Sequence, residues 1–94
     1  MALNPEPHVI RAAPGYRGRY VTVVLGDPGV SMDDLSRMIC FATSCSAEEA
    51  YIEAWEAEHL GRAEVYFSSQ ENCCAVASIL STIGVQTEVR PEWQ

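Results

Sequence analysis

The segment that most constrains the fold is residues 20–35, YVTVVLGDPGVSMDDL. Its first six residues are β-branched, aromatic or large and carry no charge, which is typical of a strand at the centre of a sheet. The run breaks at Gly-Asp-Pro-Gly, residues 26–29, and continues as a helix that Ser31 is suited to cap. The pattern predicts a central strand that turns directly into a helix, and we expect the functional site at this turn.

Length, composition and charge exclude several classes of protein. A chain of 94 residues with 48% apolar and 20% charged residues predicts one globular domain. Such a chain buries only about 60–65% of its unfolded surface, which leaves no room for a large active-site cavity. The net charge of −7 argues against nucleic acid as a partner. The sequence has neither an 18-residue apolar run nor a signal-peptide pattern, so we expect a cytoplasmic protein with no membrane association.

The cysteines predict neither a metal site nor a disulfide. Cys40 and Cys45 are separated by four residues, and Cys73 and Cys74 are adjacent, which is not the spacing of a zinc site. We therefore predict reduced thiols in the core, and no metal or other cofactor. The only candidate nucleophile–base pair for an enzyme is Cys45 or Cys74 with His59, and nothing orients the histidine, so we do not expect an enzyme.

The remaining chain predicts a small α+β domain with the element order β-α-α-β-α-β. Ser46 caps a second helix whose Glu49, Glu53 and Glu56 form a solvated acidic stripe, and a capping box from Ser68 to Glu71 opens the third. If the first strand lies in the middle, the sheet has three antiparallel strands, and the three helices cover one of its faces. Residues 1–18 are predicted to be a flexible N-terminal arm, residues 19–90 the domain, and residues 91–94 a C-terminal tail.

Three short motifs accompany this order of elements. Gly26-Asp27 directly follows the apolar strand, and Val30-Ser31-Met32 opens the first helix. The second helix ends with Ala-Glu-His-Leu-Gly-Arg at residues 57–62.

In these features the chain resembles the ClpS family of adaptors, which deliver N-degron substrates to a Clp unfoldase–protease. The family has Asn-Asp where this chain has Gly26-Asp27, and Thr-Pro-Met where it has Val30-Ser31-Met32. The family's second helix ends in His-x-x-Gly-basic, and here Glu58 stands at the histidine position, with His59 one residue later. The resemblance covers residues 19–90.

The resemblance implies a set of binding residues for an N-terminal peptide. The α-amine of the peptide would be bound by Gly26, Asp27, Glu58 and His59. The side chain of its first residue would enter a hydrophobic pocket formed by Val30, Met32, Leu35, Ala54 and Ala57. Docking on the N-terminal domain of the Clp AAA+ unfoldase would use Glu71.

The function implied is a non-enzymatic adaptor that binds N-terminal peptides with bulky hydrophobic first residues and delivers them to a Clp AAA+ unfoldase–protease. An alternative is a ClpS-like interaction or regulatory module that has lost N-degron specificity. Gly26 and Glu58, where the chain departs from the family, favour the alternative. The two functions differ in whether a free amino terminus is preferred over an acetylated one.

Overall fold

A computed structural model describes the backbone of residues 8–10 and the whole of residues 15–93. Within these ranges the chain forms four strands and three helices. In chain order they are β1 (His8–Ile10), β2 (Tyr20–Leu25), α1 (Met32–Thr43), α2 (Ala47–Leu60), β3 (Arg62–Ser68), α3 (Gln70–Ser81) and β4 (Thr87–Pro91).

The predicted α+β architecture is confirmed, with one strand added. β2 lies between β3 and β4 and is antiparallel to both, as the sequence indicated. β1 is the addition, because it pairs in parallel with the outer edge of β4 and makes the sheet four-stranded, in the order β1-β4-β2-β3. Residues 8–10 lie in the segment predicted to be a flexible arm. Three residues are too few to show an alternating pattern, so only the edge offered by β4 identifies this strand. Residues 1–7 and 11–14 of that arm lie outside the described residues, and residues 15–18 are described.

One face of β2 packs against the helices. Val24 belongs to the core cluster that includes Leu35 and Ile39 of α1 and the buried alanines of α2. Thr22 is fully buried on the same face, where its hydroxyl donates a 2.9 Å hydrogen bond to the Cys73 carbonyl in α3. All three helices therefore contribute to one hydrophobic layer over the sheet.

The other face of β2 is covered by charged side chains rather than by helices. Val21 and Val23 point to this face and are nonetheless fully buried. The register puts them beside the partners of two ion pairs that join β3 to β4 across β2, Glu64–Arg90 at 3.0 Å and Arg62–Glu88 at 3.1 Å. The aliphatic stems of such long side chains cover apolar surface while their charged ends stay in water. The central strand is thus buried on both sides in a domain with helices on only one.

Serine caps begin all three helices, and one of them differs from the prediction. Ser31 and Ser46 cap α1 and α2 as predicted. The cap of α3 is Ser69 rather than Ser68, since the Ser69 hydroxyl accepts a 3.1 Å hydrogen bond from the Asn72 amide. Glu71 is therefore the second residue of α3 and not the reciprocal partner of a capping box. No helix among the described residues is long and apolar enough to cross a membrane.

Candidate functional site

The turn after β2 is tied to the end of α2 by backbone hydrogen bonds. The Gly26 amide donates to the Gly61 carbonyl at 3.0 Å, and the Gly61 amide donates to the Ala57 carbonyl at 3.1 Å to close the last turn of α2. Gly61 adopts a left-handed conformation with φ of 93°, which glycine reaches without steric cost and which ends the helix. The end of the central strand and the end of α2 therefore form one unit.

Asp27 is held rigidly in this turn. Its Oδ1 accepts a 2.8 Å hydrogen bond from the Gly29 amide, and its carbonyl accepts a 3.0 Å bond from the Val30 amide. Pro28 fixes its own φ between these two contacts. Oδ2 of Asp27 receives no hydrogen bond from any described residue, so one carboxylate oxygen remains for a ligand.

Gly26 is required because the backbone of α2 approaches it closely. A Cβ atom at this position would lie 2.1 Å from the Ala57 carbonyl oxygen and 3.0 Å from its carbon. These are backbone atoms that cannot rotate away as a side chain can. A glycine at position 26 is therefore dictated by local packing.

A cleft of about 350 Å³ lies where these elements meet. Its walls are formed by Gly26, Asp27, Pro28, Ala57, Glu58 and Gly61. Two acidic residues, Asp27 and Glu58, thus line one cleft at the C-terminal end of α2, and none of the described residues that line it is basic. The negative end of a helix dipole adds to the attraction of a cation. The chemistry of this cleft suits a positively charged group.

The residues predicted to form a hydrophobic pocket lie elsewhere or are closed off. Leu35, Ala54 and Ala57 belong to the core cluster, and Val30 is partly buried against it. Of the pocket residues only Ala57 lines the cleft. Met32 is half-buried at the start of α1. The structure brings the predicted α-amine ligands Gly26, Asp27 and Glu58 to one cleft, and Val30, Met32, Leu35 and Ala54 are not among the residues that line it.

His59, the fourth predicted α-amine ligand, does not line the cleft. Its ring stacks on the Trp55 indole with centroids 4.4 Å apart and planes at 16°. Its Nδ1 lies 3.0 Å from the Trp55 carbonyl oxygen. A carbonyl only accepts, so Nδ1 carries the hydrogen and donates it. The imidazole is thereby held on the outer surface of α2.

The sequence did not distinguish Glu53 from its acidic neighbours. Glu53 is half-buried, whereas the prediction put it in a solvated stripe. Its Oε1 is buried and has no hydrogen-bond partner among the described residues. Burial, followed by the charges of Glu49 and Glu56, raises the pKa of Glu53 from 4.5 to about 7. The signal was available, because position 53 lies three residues after Ala50 and four before Ala57 and so borders the alanine face of α2.

Two further cleft residues, Pro28 and Gly61, were not predicted as site residues. The sequence indicated the turn that contains Pro28 and the helix end at Gly61. It did not show that these two backbones meet, because their contact depends on how closely α2 packs on the sheet.

The pKa of the Cys74 thiol is shifted in the direction opposite to nucleophilic activation. Burial and the adjacent Cys73 raise the pKa of the Cys74 thiol, whereas a reactive cysteine needs a lowered one. Among the described residues, no three His, Cys, Asp or Glu side chains come together in a way that could hold a metal ion. No family model matches the chain, and comparison with curated proteins also finds no match.

The first prediction concerns Gly26. Gly26→Ala should lower the free energy of unfolding by about 1–3 kcal/mol, the usual cost of overpacking, because its methyl group meets backbone of α2. Urea denaturation measures this. Gly29→Ala is the matched control, since its Cβ meets only the Asp27 side chain, at 3.2 Å. Equal stability of the two variants would contradict the close approach.

The second prediction concerns pH. Between pH 4.5 and about 7 the folded protein binds a proton on Glu53 that the unfolded chain has released, so its stability should fall as pH rises through this window. The glutamine side chain in Glu53→Gln cannot ionise, so the decrease in stability that Glu53 causes as pH rises should disappear in this variant. Urea midpoints measured from pH 4 to 8, compared with wild type, test this.

A second variant provides the control for Glu53. Glu49→Gln removes one of the charges that raise the Glu53 pKa. The pH range over which stability falls should therefore become narrower in this variant, but the fall should remain. Parallel pH profiles for wild type and Glu53→Gln would show that Glu53 is not the responsible group.

Proposed function

We propose that this protein is a non-enzymatic adaptor whose cleft between the β2 turn and α2 binds the protonated amino terminus of a peptide. The adaptor then delivers that peptide to a Clp-type AAA+ unfoldase. The observation that carries the proposal is that Asp27 and Glu58, far apart in sequence, line the same cleft at the end of the central strand.

The chemistry of the cleft supports an ammonium group as its ligand. An ammonium donates three hydrogen bonds and accepts none, so it requires fixed oxygen atoms. Oδ2 of Asp27 is held in place by the bond that Oδ1 accepts from Gly29, and Glu58 supplies a second carboxylate. Hydrogen bonds between charged groups contribute about 1.5–3 kcal/mol each. Acetylation removes both the charge and two of the donors.

The side chain of the first residue would bind beside the turn, where Val30 and Met32 are only partly buried. Leu35 and Ala54 are already packed in the core, so a bulky side chain needs a local rearrangement to reach them. Met32 is the residue best suited to this movement, because methionine is unbranched and adapts to irregular spaces. Selectivity for bulky apolar first residues is thus part of the proposal.

A second candidate function is a ClpS-like interaction module without N-degron specificity. Two observations favour it: Gly26 offers no side-chain amide to a peptide backbone, and Leu35, Ala54 and Ala57 of the predicted pocket are buried in the core. This module would bind free and acetylated amino termini equally or not at all. The two functions are therefore separated by one experiment.

The third prediction is a preference for free amino termini. Peptides beginning with Leu, Phe, Tyr, Trp or Met, labelled at the C-terminus, should bind when free and lose binding when acetylated, as measured by fluorescence anisotropy. A free peptide beginning with Ala should bind more weakly than these, because its side chain is small. Asp27→Asn should weaken binding by tenfold or more, since loss of one charge-assisted hydrogen bond costs about 1.5–3 kcal/mol. Asparagine keeps an oxygen for the Gly29 amide, so the turn is preserved.

Asp33→Asn is the matched control for Asp27→Asn. Asp33 is an exposed carboxylate in the first turn of α1 that does not line the cleft, and its loss changes the net charge equally. Equal affinity for free and acetylated peptides, or equal effects of the two variants, would reject amine recognition. No binding of any peptide would favour the second candidate function.

The fourth prediction concerns delivery. Glu71 is exposed in the first turn of α3. It is proposed to dock on the N-terminal domain of the unfoldase. The proposal therefore includes a cytoplasmic location for the adaptor, together with this partner. Glu71→Lys should leave peptide affinity unchanged and greatly reduce degradation of a reporter by the reconstituted unfoldase and peptidase. Asp33→Lys reverses a charge in the first turn of another helix and should retain delivery. If Glu71→Lys delivers as well as Asp33→Lys, the docking role is wrong.

A further inference from the structure

The outer face of α2 carries apolar side chains that no other described part of the domain covers. Tyr51, Ile52 and Trp55 are 52%, 56% and 43% exposed. α2 therefore has apolar residues on two sides, since Ala50, Ala54 and Ala57 are fully buried on its inner side. An amphipathic helix of a small domain normally presents polar residues to water at these outer positions.

The exposed residues follow the ridges of the helix. Tyr51, Trp55 and His59 recur every four residues, so their side chains form one row on the surface. The stacking of His59 on Trp55 fixes the middle of this row. At the beginning of the helix, Ala47, Glu48, Tyr51 and Ile52 line a shallow depression of about 360 Å³. We call Tyr51, Ile52, Trp55 and His59 the outer stripe.

Carboxylates border the outer stripe on both sides. At 100° per residue, Glu58 falls on one side of it and Glu49 and Glu56 on the other, while Glu48 lies within it near the start of the helix. α2 contains no Lys or Arg. Two copies of this face would bring their carboxylates together, and like charges in contact are unfavourable, so charge argues against a second copy as the occupant.

We propose that the outer stripe of α2 is a docking surface for a cationic amphipathic helix of a partner protein. Lys or Arg side chains of that helix pair with Glu48, Glu49 and Glu56, and its apolar residues contact Trp55 and fill the depression beside Ile52. A row of side chains spaced by four residues is the surface on which a second helix packs, because its own ridges fit between such rows. Helix-in-groove recognition uses apolar anchors at the same spacing.

This inference goes beyond the proposed function, because the outer stripe and the cleft are different surfaces. The cleft recognises an amino terminus, whereas the outer stripe recognises the side chains of a helix. Glu58 borders both, so it is left unchanged in the experiment below.

The fifth prediction tests this surface with an 18-residue helical peptide of leucine and lysine arranged with one apolar face. The peptide is acetylated and amidated, so it offers no amino terminus to the cleft. The protein carries Trp93→Phe, which leaves Trp55 as its only indole. Binding should shift Trp55 emission to shorter wavelength, protect it from acrylamide, and weaken as salt is raised, because the surrounding charges are exposed.

Two variants and two control peptides complete the test. Trp55→Ala should weaken binding about tenfold in anisotropy with a labelled peptide, because a central tryptophan often dominates an interface. Phe41→Ala removes a more exposed aromatic residue from α1 and should change affinity less than twofold. A peptide of the same composition in scrambled order, and one with glutamate in place of lysine, should both bind at least tenfold more weakly.

Three results would overturn the proposal. Equal binding of the ordered and scrambled peptides would mean nonspecific attraction of an acidic protein for cations. Equal affinity of Trp55→Ala and Phe41→Ala would place binding elsewhere. Concentration-dependent dimerisation in sedimentation velocity, abolished by Trp55→Ala, would identify the occupant as a second copy of the chain.

Discussion

The close approach of α2 to the end of β2 determines the candidate site. Ala50, Ala54 and Ala57 form the inner side of the helix, and such small side chains let its backbone lie near the sheet. At the C-terminal end this proximity leaves no space for a Cβ on Gly26 and lets the Gly26 amide reach the Gly61 carbonyl. Because of the same geometry, Glu58 lines the cleft together with Asp27. The site is therefore a consequence of packing between two backbones.

The arrangement also depends on the burial of β2 on both faces. Helices cover the face of Thr22 and Val24, and the ion pairs Glu64–Arg90 and Arg62–Glu88 cross the opposite face. Exposed ion pairs contribute little to stability by themselves, often less than about 1 kcal/mol. Here the aliphatic stems of these side chains contribute more to the burial of β2 than their charges do, because the stems exclude water from Val21 and Val23. Because the central strand is rigid, it holds the turn that contains Asp27 in a fixed position.

Strong local patterns predicted much of this fold. The apolar run at residues 20–25 identified the central strand, and Ser31, Ser46 and Gly61 marked helix ends where a side chain or a left-handed residue is required. Features that depend on tertiary contact were not predictable in the same way. Residues 8–10 become a strand only because β4 offers an edge. Ser69 rather than Ser68 caps α3, and the sequence did not distinguish the two positions because both are serine.

The residues of the candidate site also differ in whether local sequence or tertiary contact determines their positions. The residue pattern predicted that the site lies at the turn that contains Asp27, and the family resemblance implied the role of Asp27 as an amine ligand. The contact of Asp27 with Gly29 is local in sequence. The role of Glu58 was inferred from a family resemblance, and the sequence alone could not show that Glu58 lines the same cleft as Asp27. The pocket prediction relied on the same resemblance. In this structure Leu35, Ala54 and Ala57 are buried in the core.

One helix thus serves three surfaces, and their chemistry follows from side-chain size and charge. Alanines on the inner side set the distance between α2 and the sheet. Glu58 at the C-terminal end contributes charge to the cleft, and aromatic residues on the outer side remain exposed. Glu53 lies at the edge of the inner side, where lost hydration and nearby carboxylates favour its protonated form. A change in the packing of α2 would alter all of these environments together, because the helix is attached to the sheet through its alanine face and its last turn.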